Sequence, residues 1–147
     1  MARTVLVDSG FIVALLSRDD AHREWALAQA PQLGYPWVAC EAVLSESFHL
    51  LGKPGQSKLA ALLQRGVVVP GFDLGDELQS ILDLMDKYAD VPMSLADACL
   101  VRMTETLADP VVVATDTDFR VYRRHSRQII PMILKSGWIW HSRSITT

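Results

Sequence analysis

Short β-branched apolar runs recur along this chain, and each is separated from the next by a stretch with helical periodicity. Residues 4–7, 35–39, 67–69 and 111–114 read as strands, with a last short one at 129–132. Helical patterns cover residues 11–16, 22–30, 40–51, 56–65, 76–88 and 94–107, punctuated by Pro31, Gly34, Gly52, Pro54, Pro70, Gly71 and Pro92. The helix at 94–107 is apolar on nearly every side, which places it between layers. Strands that alternate with helices pair in parallel, and right-handed crossovers lay the helices on both faces of the sheet. The expectation is an α/β fold: a three-layer α/β/α sandwich around a central parallel sheet of four to five strands, in one domain spanning residues 1–147.

Half of the 147 residues are hydrophobic, enough for a core without disulfides or a structural metal. The first apolar run is cut off by Asp8 after four residues, too short for a signal-peptide core or a membrane span, so a cytoplasmic protein with no membrane partner is expected. Cys40 and Cys99 sit in apolar helical patterns and read as packing residues. His22, His49, His125 and His141 are scattered, and no Cys or His spacing suits zinc. The net charge of −3 opposes nucleic-acid binding on its face, yet all 17 acids lie in residues 1–118. Residues 119–147 hold Arg120, Arg123, Arg124, Arg127, Lys135 and Arg143 and no acid, so that end can meet an anion.

In sheets of this kind ligands bind beyond the carboxyl ends of the strands, near the point where strand order reverses. Asp8 and Asp116 sit at such ends. Each acid also has a purely structural reading: Asp8 as the N-cap of the helix that follows, Asp116 and Asp118 as turn formers. Ser94-x-x-Asp97 has the form of a capping box. Glu46 lies mid-helix, where neither a cap nor the helix dipole accounts for a carboxylate, and it borders the apolar arc beside Val43 and Leu50. Glu41 points about 140° away in the first turn, where the dipole favours an acid, and ranks as auxiliary. Ser9 and Thr115, beside the two strand-end acids, offer hydroxyls. Carboxylates crowded at one sheet edge repel each other and need shared protons or a cation. An all-oxygen set suits Mg²⁺ or Mn²⁺.

Four segments, VLVDSGFIVALL, ACEAVLSESFHLL, SLADACLVRM and VVVATDTDF, resemble in order and spacing the PIN domain, most closely the VapC-type toxins of bacterial toxin–antitoxin pairs. The resemblance implies a PIN-like α/β/α sandwich and a Mg²⁺- or Mn²⁺-dependent endoribonuclease, with catalytic and metal-binding roles on Asp8, Glu46, Asp97 and Asp116. Asp118 resembles the second acid of the terminal motif and Thr115 its supporting hydroxyl. It also implies a homodimer held inactive by a cognate antitoxin protein. Arg120, Arg123, Arg124 and Arg127 follow the acidic loop and are candidates for phosphates of an RNA substrate, with a solvated face or an antitoxin contact as the other reading. Trp25, Trp37, Trp138 and Trp140 are candidates for core or interface, and Trp138-x-Trp140 reads as a strand. Competing readings are a PIN-like RNA- or protein-binding module that does not cleave, an RNA-processing nuclease that is not a toxin, and a phosphotransferase. The last wants D-x-D after the first strand, where this chain has Asp8-Ser9-Gly10.

Overall fold

The structure, a computed structural model, describes residues 3–139. Strand β1 (Thr4–Val7) leads through Asp8 into helix α1 (Ser9–Leu16), followed by α2 (Arg23–Gln29) and a 3-10 turn. Strand β2 (Trp37–Ala39) feeds α3 (Glu41–Gln64), and β3 (Val68–Pro70) is followed by α4 (Leu78–Lys87) and α5 (Leu95–Thr106). Then come β4 (Pro110–Ala114), a two-strand ribbon of β5 (Arg123–Arg124) and β6 (Gln128–Ile129), and β7 (Met132–Leu134) with β8 (Gly137–Ile139).

The main sheet runs β3-β2-β1-β4-β7-β8, with five parallel strands and β8 antiparallel at the edge. β1, β2 and β3 step outward in one direction, so right-handed crossovers lay α1 to α3 on one face; the return from β3 to β4 lays α4 and α5 on the other. α1 packs on α3 and α4 on α5, as that division requires. All five residues of β4 are buried, which is why the segment is apolar without alternation: both faces are covered. Each such Val removed from water stabilises by roughly 1.5–3 kcal/mol. Beneath α1, Phe11 meets Trp25 and Trp37 edge-on with ring centroids 6.0 and 5.5 Å apart, so Trp37 belongs to the core and the half-buried Trp25 packs against it.

α3 breaks where the sequence separates two helices. Gly52 takes φ +68°, Pro54 follows, and the Gln56 side-chain amide donates to the Phe48 carbonyl across the break at 2.8 Å. On α4, Ile81 is buried while Leu78 and Leu82 stay about half exposed. Cys40, the N-cap residue of α3, and Cys99, within α5, are buried free thiols of the core. The strand expected at 129–132 is divided: Pro131 has no N–H to donate, so Gln128–Ile129 pairs with Arg123–Arg124 and Met132–Leu134 joins the main sheet. β8 falls where the Trp138-x-Trp140 alternation placed a strand; Trp140 lies outside the described residues. Among the described residues no helix is long and apolar enough to cross a membrane.

Candidate active site

β1 and β4 are neighbours in register, Val7 opposite Val113, and strand order reverses between them. The backbone N–H of Asp8 donates to the Val113 carbonyl at 3.1 Å, so the Asp8 carboxylate starts where the two central strands end. Asp8 occupies the N-cap position of α1, but its side chain makes no capping bond. Only 4 % of the residue is exposed. Burial pushes its pKa from 3.8 up to about 8; the Ser9 backbone N–H opposes the shift, and the charges of Asp116, Asp97 and Glu46 add to it. Asp116, Asp97 and Glu46 therefore all come near enough to act on Asp8 at this sheet edge.

Each of the other three is held by a different device. Glu46 is exposed on α3 and accepts a hydrogen bond from the Ser9 hydroxyl. Asp97 completes the capping box: its N–H donates to Ser94 Oγ at 3.0 Å, and the Ser94 N–H donates to Asp97 Oδ2 at 3.4 Å. The capping reading and the site reading of Asp97 thus hold together, because Oδ2 serves the cap. That same Oδ2 also accepts the Tyr122 hydroxyl at 2.9 Å, which leaves Oδ1 for the site. Tyr122 is fully buried and stacked edge-on against Tyr88 and Phe119. Asp116 accepts the Asp118 N–H at 3.0 Å, an Asx turn at the start of the Asp118–Arg120 3-10 turn.

Asp97 and Asp116 also titrate higher than ordinary carboxylates. Lost solvent around the carboxylate is the largest cause in both, with Asp116 adding to the shift of Asp97, and Asp118 and Glu46 to that of Asp116. Burial and the adjoining Asp97 raise Tyr122 in turn, so it stays a hydrogen-bond donor. The ion pairs among the described residues lie elsewhere, Arg102 with Glu77 and Glu105 and Arg3 with Asp109. An all-oxygen cluster without a basic partner suits a hard divalent cation. As the side chains stand, no three His, Cys, Asp or Glu donors among the described residues close on one point. Ser9 holds Glu46, and Tyr122 with Ser94 holds Asp97, at the periphery of the cluster.

The auxiliary residues divide. Ser9 is buried in the cluster, and Thr115 presses against α1: a Cβ on Gly10 would collide with its hydroxyl. Glu41 is exposed in the first turn of α3 and makes no hydrogen bond or ion pair among the described residues.

The four arginines also differ. Arg124 donates to the carbonyls of Thr104 and, at 2.9 Å, Leu107, closing the end of α5. Arg123 folds back on the carbonyls of Arg120 and Tyr122 at 2.6 and 3.0 Å. Arg120 reaches Ser136 Oγ at 2.9 Å, and Arg127 is exposed. Lys135, in the β7–β8 turn, lies 3.0 Å from His22 Nδ1. Tyr122 is the contact that sequence reasoning missed: a tyrosine 25 positions from the acid it serves leaves no local signal.

The family profile of the PIN domain matches residues 5–124. The crystal structure of Mycobacterium tuberculosis VapC20, a sarcin-ricin loop cleaving toxin, superposes with a TM-score of 0.70 at 20 % identity, covering 77 % of this chain and 90 % of that one. A comparison with curated proteins finds no match. With the strand-end acids, the order of the sheet and a profile match over most of its length in agreement, the chain belongs to the PIN domain family.

Proposed function

We propose that this chain is a Mg²⁺- or Mn²⁺-dependent endoribonuclease, the cytoplasmic toxin of a toxin–antitoxin pair, working as a homodimer restrained by its antitoxin. The observation that carries this reading is the buried Asp8 carboxylate at the switch point of the sheet, with the charges of Asp116, Asp97 and Glu46 acting on it. The fold it shares with a toxin that cleaves the sarcin-ricin loop supports RNA as the substrate.

Asp8, Glu46, Asp97 and Asp116 hold the cation in this reading, with Asp118 and Glu41 as outer acids. When bound, it supplies Lewis acidity that activates water and neutralises charge on the phosphodiester. The chain's own residues set the stage. Ser9 fixes the Glu46 carboxylate, and Tyr122 with the capping box fixes Asp97 by one oxygen. Asp8 carries a proton in the cation-free site, which lets four acids share one edge. Arg120, Arg127 and Lys135 approach RNA phosphates, with Arg123 behind them; Arg124 is committed to α5 and is left out of this contact.

The other reading is an RNA-binding module that does not cleave, and the presence of all four acids counts against it. Cleavage of a structured-RNA panel by antitoxin-free protein with Mg²⁺, Mn²⁺ or EDTA, beside Asp8→Asn and Asp97→Asn, separates the two. The nuclease reading expects metal-dependent cutting that both substitutions abolish. RNA binding without cutting under every condition overturns it in favour of the module.

A further inference from the structure

Beside the acids a groove of about 480 Å³ opens between α3 and the start of α5, within the size range of small-ligand sites. One wall is a single face of α3: Ala42, Ser45, Glu46 and His49. The other is Ser94, Leu95 and Ala96, immediately before Asp97. Both walls therefore run directly into the acid cluster. Ala42 and Ala96 contribute only small side chains to these walls, Leu95 offers a 42 % exposed apolar surface, and His49 and Ser45 stand exposed. Neither His49 nor Ser45 makes a side-chain hydrogen bond or ion pair among the described residues, so the fold does not use them.

Charge decides what fits. No Lys or Arg side chain lines the groove, so nothing in it pairs with a phosphate; Arg120, Arg127 and Lys135 all lie outside it. A flat, neutral group with a hydrogen-bonding edge suits it, its phosphates lying outside. Such a group is a nucleobase, and it enters a protein groove only when unstacked from its strand.

We propose that this groove is a subsite for one unpaired nucleobase of the substrate RNA, beside the phosphodiester that is cut, with His49 stacking on the base and Ser45 meeting its edge. The proposal rests on the ribonuclease reading above, and adds to it a sequence preference at one position next to the cut. Base stacking on an aromatic ring is strong enough that its loss is read as about tenfold.

The test maps cut sites on unstructured oligoribonucleotides and then removes single bases around the cut, for the wild type, His49→Ala and Ser45→Leu, the last filling the groove from an exposed position. In the wild type one abasic position is expected to lower kcat/KM about tenfold. In His49→Ala the intact RNA loses about tenfold through KM, while the same abasic change costs less than about twofold, since the two losses are one interaction. Ser45→Leu is expected to flatten the preference at that position alone. Mn²⁺ affinity, measured by calorimetry, stays at the wild-type value in both variants, which separates a base contact from damage to the acid site.

The proposal is overturned if the abasic penalty is equal in wild type and His49→Ala, or if both variants cut intact RNA as the wild type does. Unchanged cutting with weakened grip on a co-expressed protein inhibitor also overturns it, and gives the groove to a protein partner. Should the wild type show no Asp8-dependent cutting, the ribonuclease reading fails by itself. The groove is then decided by anisotropy of a labelled oligoribonucleotide against its abasic counterpart. Base-dependent binding that His49→Ala abolishes supports the subsite, and equal binding by both proteins ends it.

Discussion

Asp8 keeps its proton into the neutral range because burial removes the water that would stabilise its charge and three further carboxylates face it. Between pH 3.8 and about 8 the folded chain holds a proton at Asp8 that the unfolded chain has released. Stability from this group is full at the acid end of that window and is lost as pH rises through it. Asp97 and Asp116, also raised, act with the same sign. The cation-free protein is therefore expected to melt at lower temperature as pH rises from about 5 to about 8. Asp8→Asn should flatten that slope by up to about 1.4 kcal/mol per pH unit, measured as the difference between the two thermal profiles. Tyr122 acts on the site through Asp97 and is a positioning residue. Tyr122→Phe keeps the ring between Tyr88 and Phe119 and removes only the hydroxyl. Its expected cost is about 1 kcal/mol of stability but about tenfold in Mn²⁺ affinity by calorimetry. An unchanged affinity would limit Tyr122 to packing.

At the scale of elements, the site depends on how closely α1 approaches the end of β4. Alanine inside a helix ordinarily stabilises relative to glycine by roughly 0.5–1 kcal/mol. At Gly10 the sign reverses, because a Cβ there runs into the Thr115 hydroxyl. Gly10→Ala is expected to destabilise by about 1–3 kcal/mol, and Thr115→Ala in the same chain to restore most of the loss. Urea unfolding of the two single variants and the double variant measures that coupling; additive losses would show that the helix does not need the close approach. Element ends were legible where backbone stereochemistry sets them. Gly52 and Pro54 break α3, and Ser94 with Asp97 opens α5. The division at Pro131 was missed because 129–132 is apolar on both sides of the proline, and period alone cannot say which partner each half will find. Arg124 shows the same limit: a basic run reads as a phosphate contact until the end of α5 is seen to lie within its reach.

Across the whole molecule, strand order converts distant sequence into one site. Only because β1 lies beside β4 do Asp8 and Asp116, 108 positions apart in the chain, face each other. A divalent cation that replaces the proton shared by this cluster binds more favourably as pH rises. Mn²⁺ is thus expected to raise Tm more at about pH 8 than at about pH 5, by several degrees at concentrations well above its Kd. Thermal scans with and without Mn²⁺ at the two pH values check this, and equal shifts would deny the cluster the cation. By itself the sequence determined the α/β class, the parallel strands, the helix break and the acids at strand ends, since these follow from side-chain period, backbone stereochemistry and the need to bury apolar runs. Only the tertiary structure decided that Tyr122 serves Asp97, that Ser9 serves Glu46, that Arg124 closes α5, and that His49 stands idle beside the acids. Those pairings depend on which elements abut, and a hydrogen bond between residues far apart in the chain leaves no periodic trace in either of them.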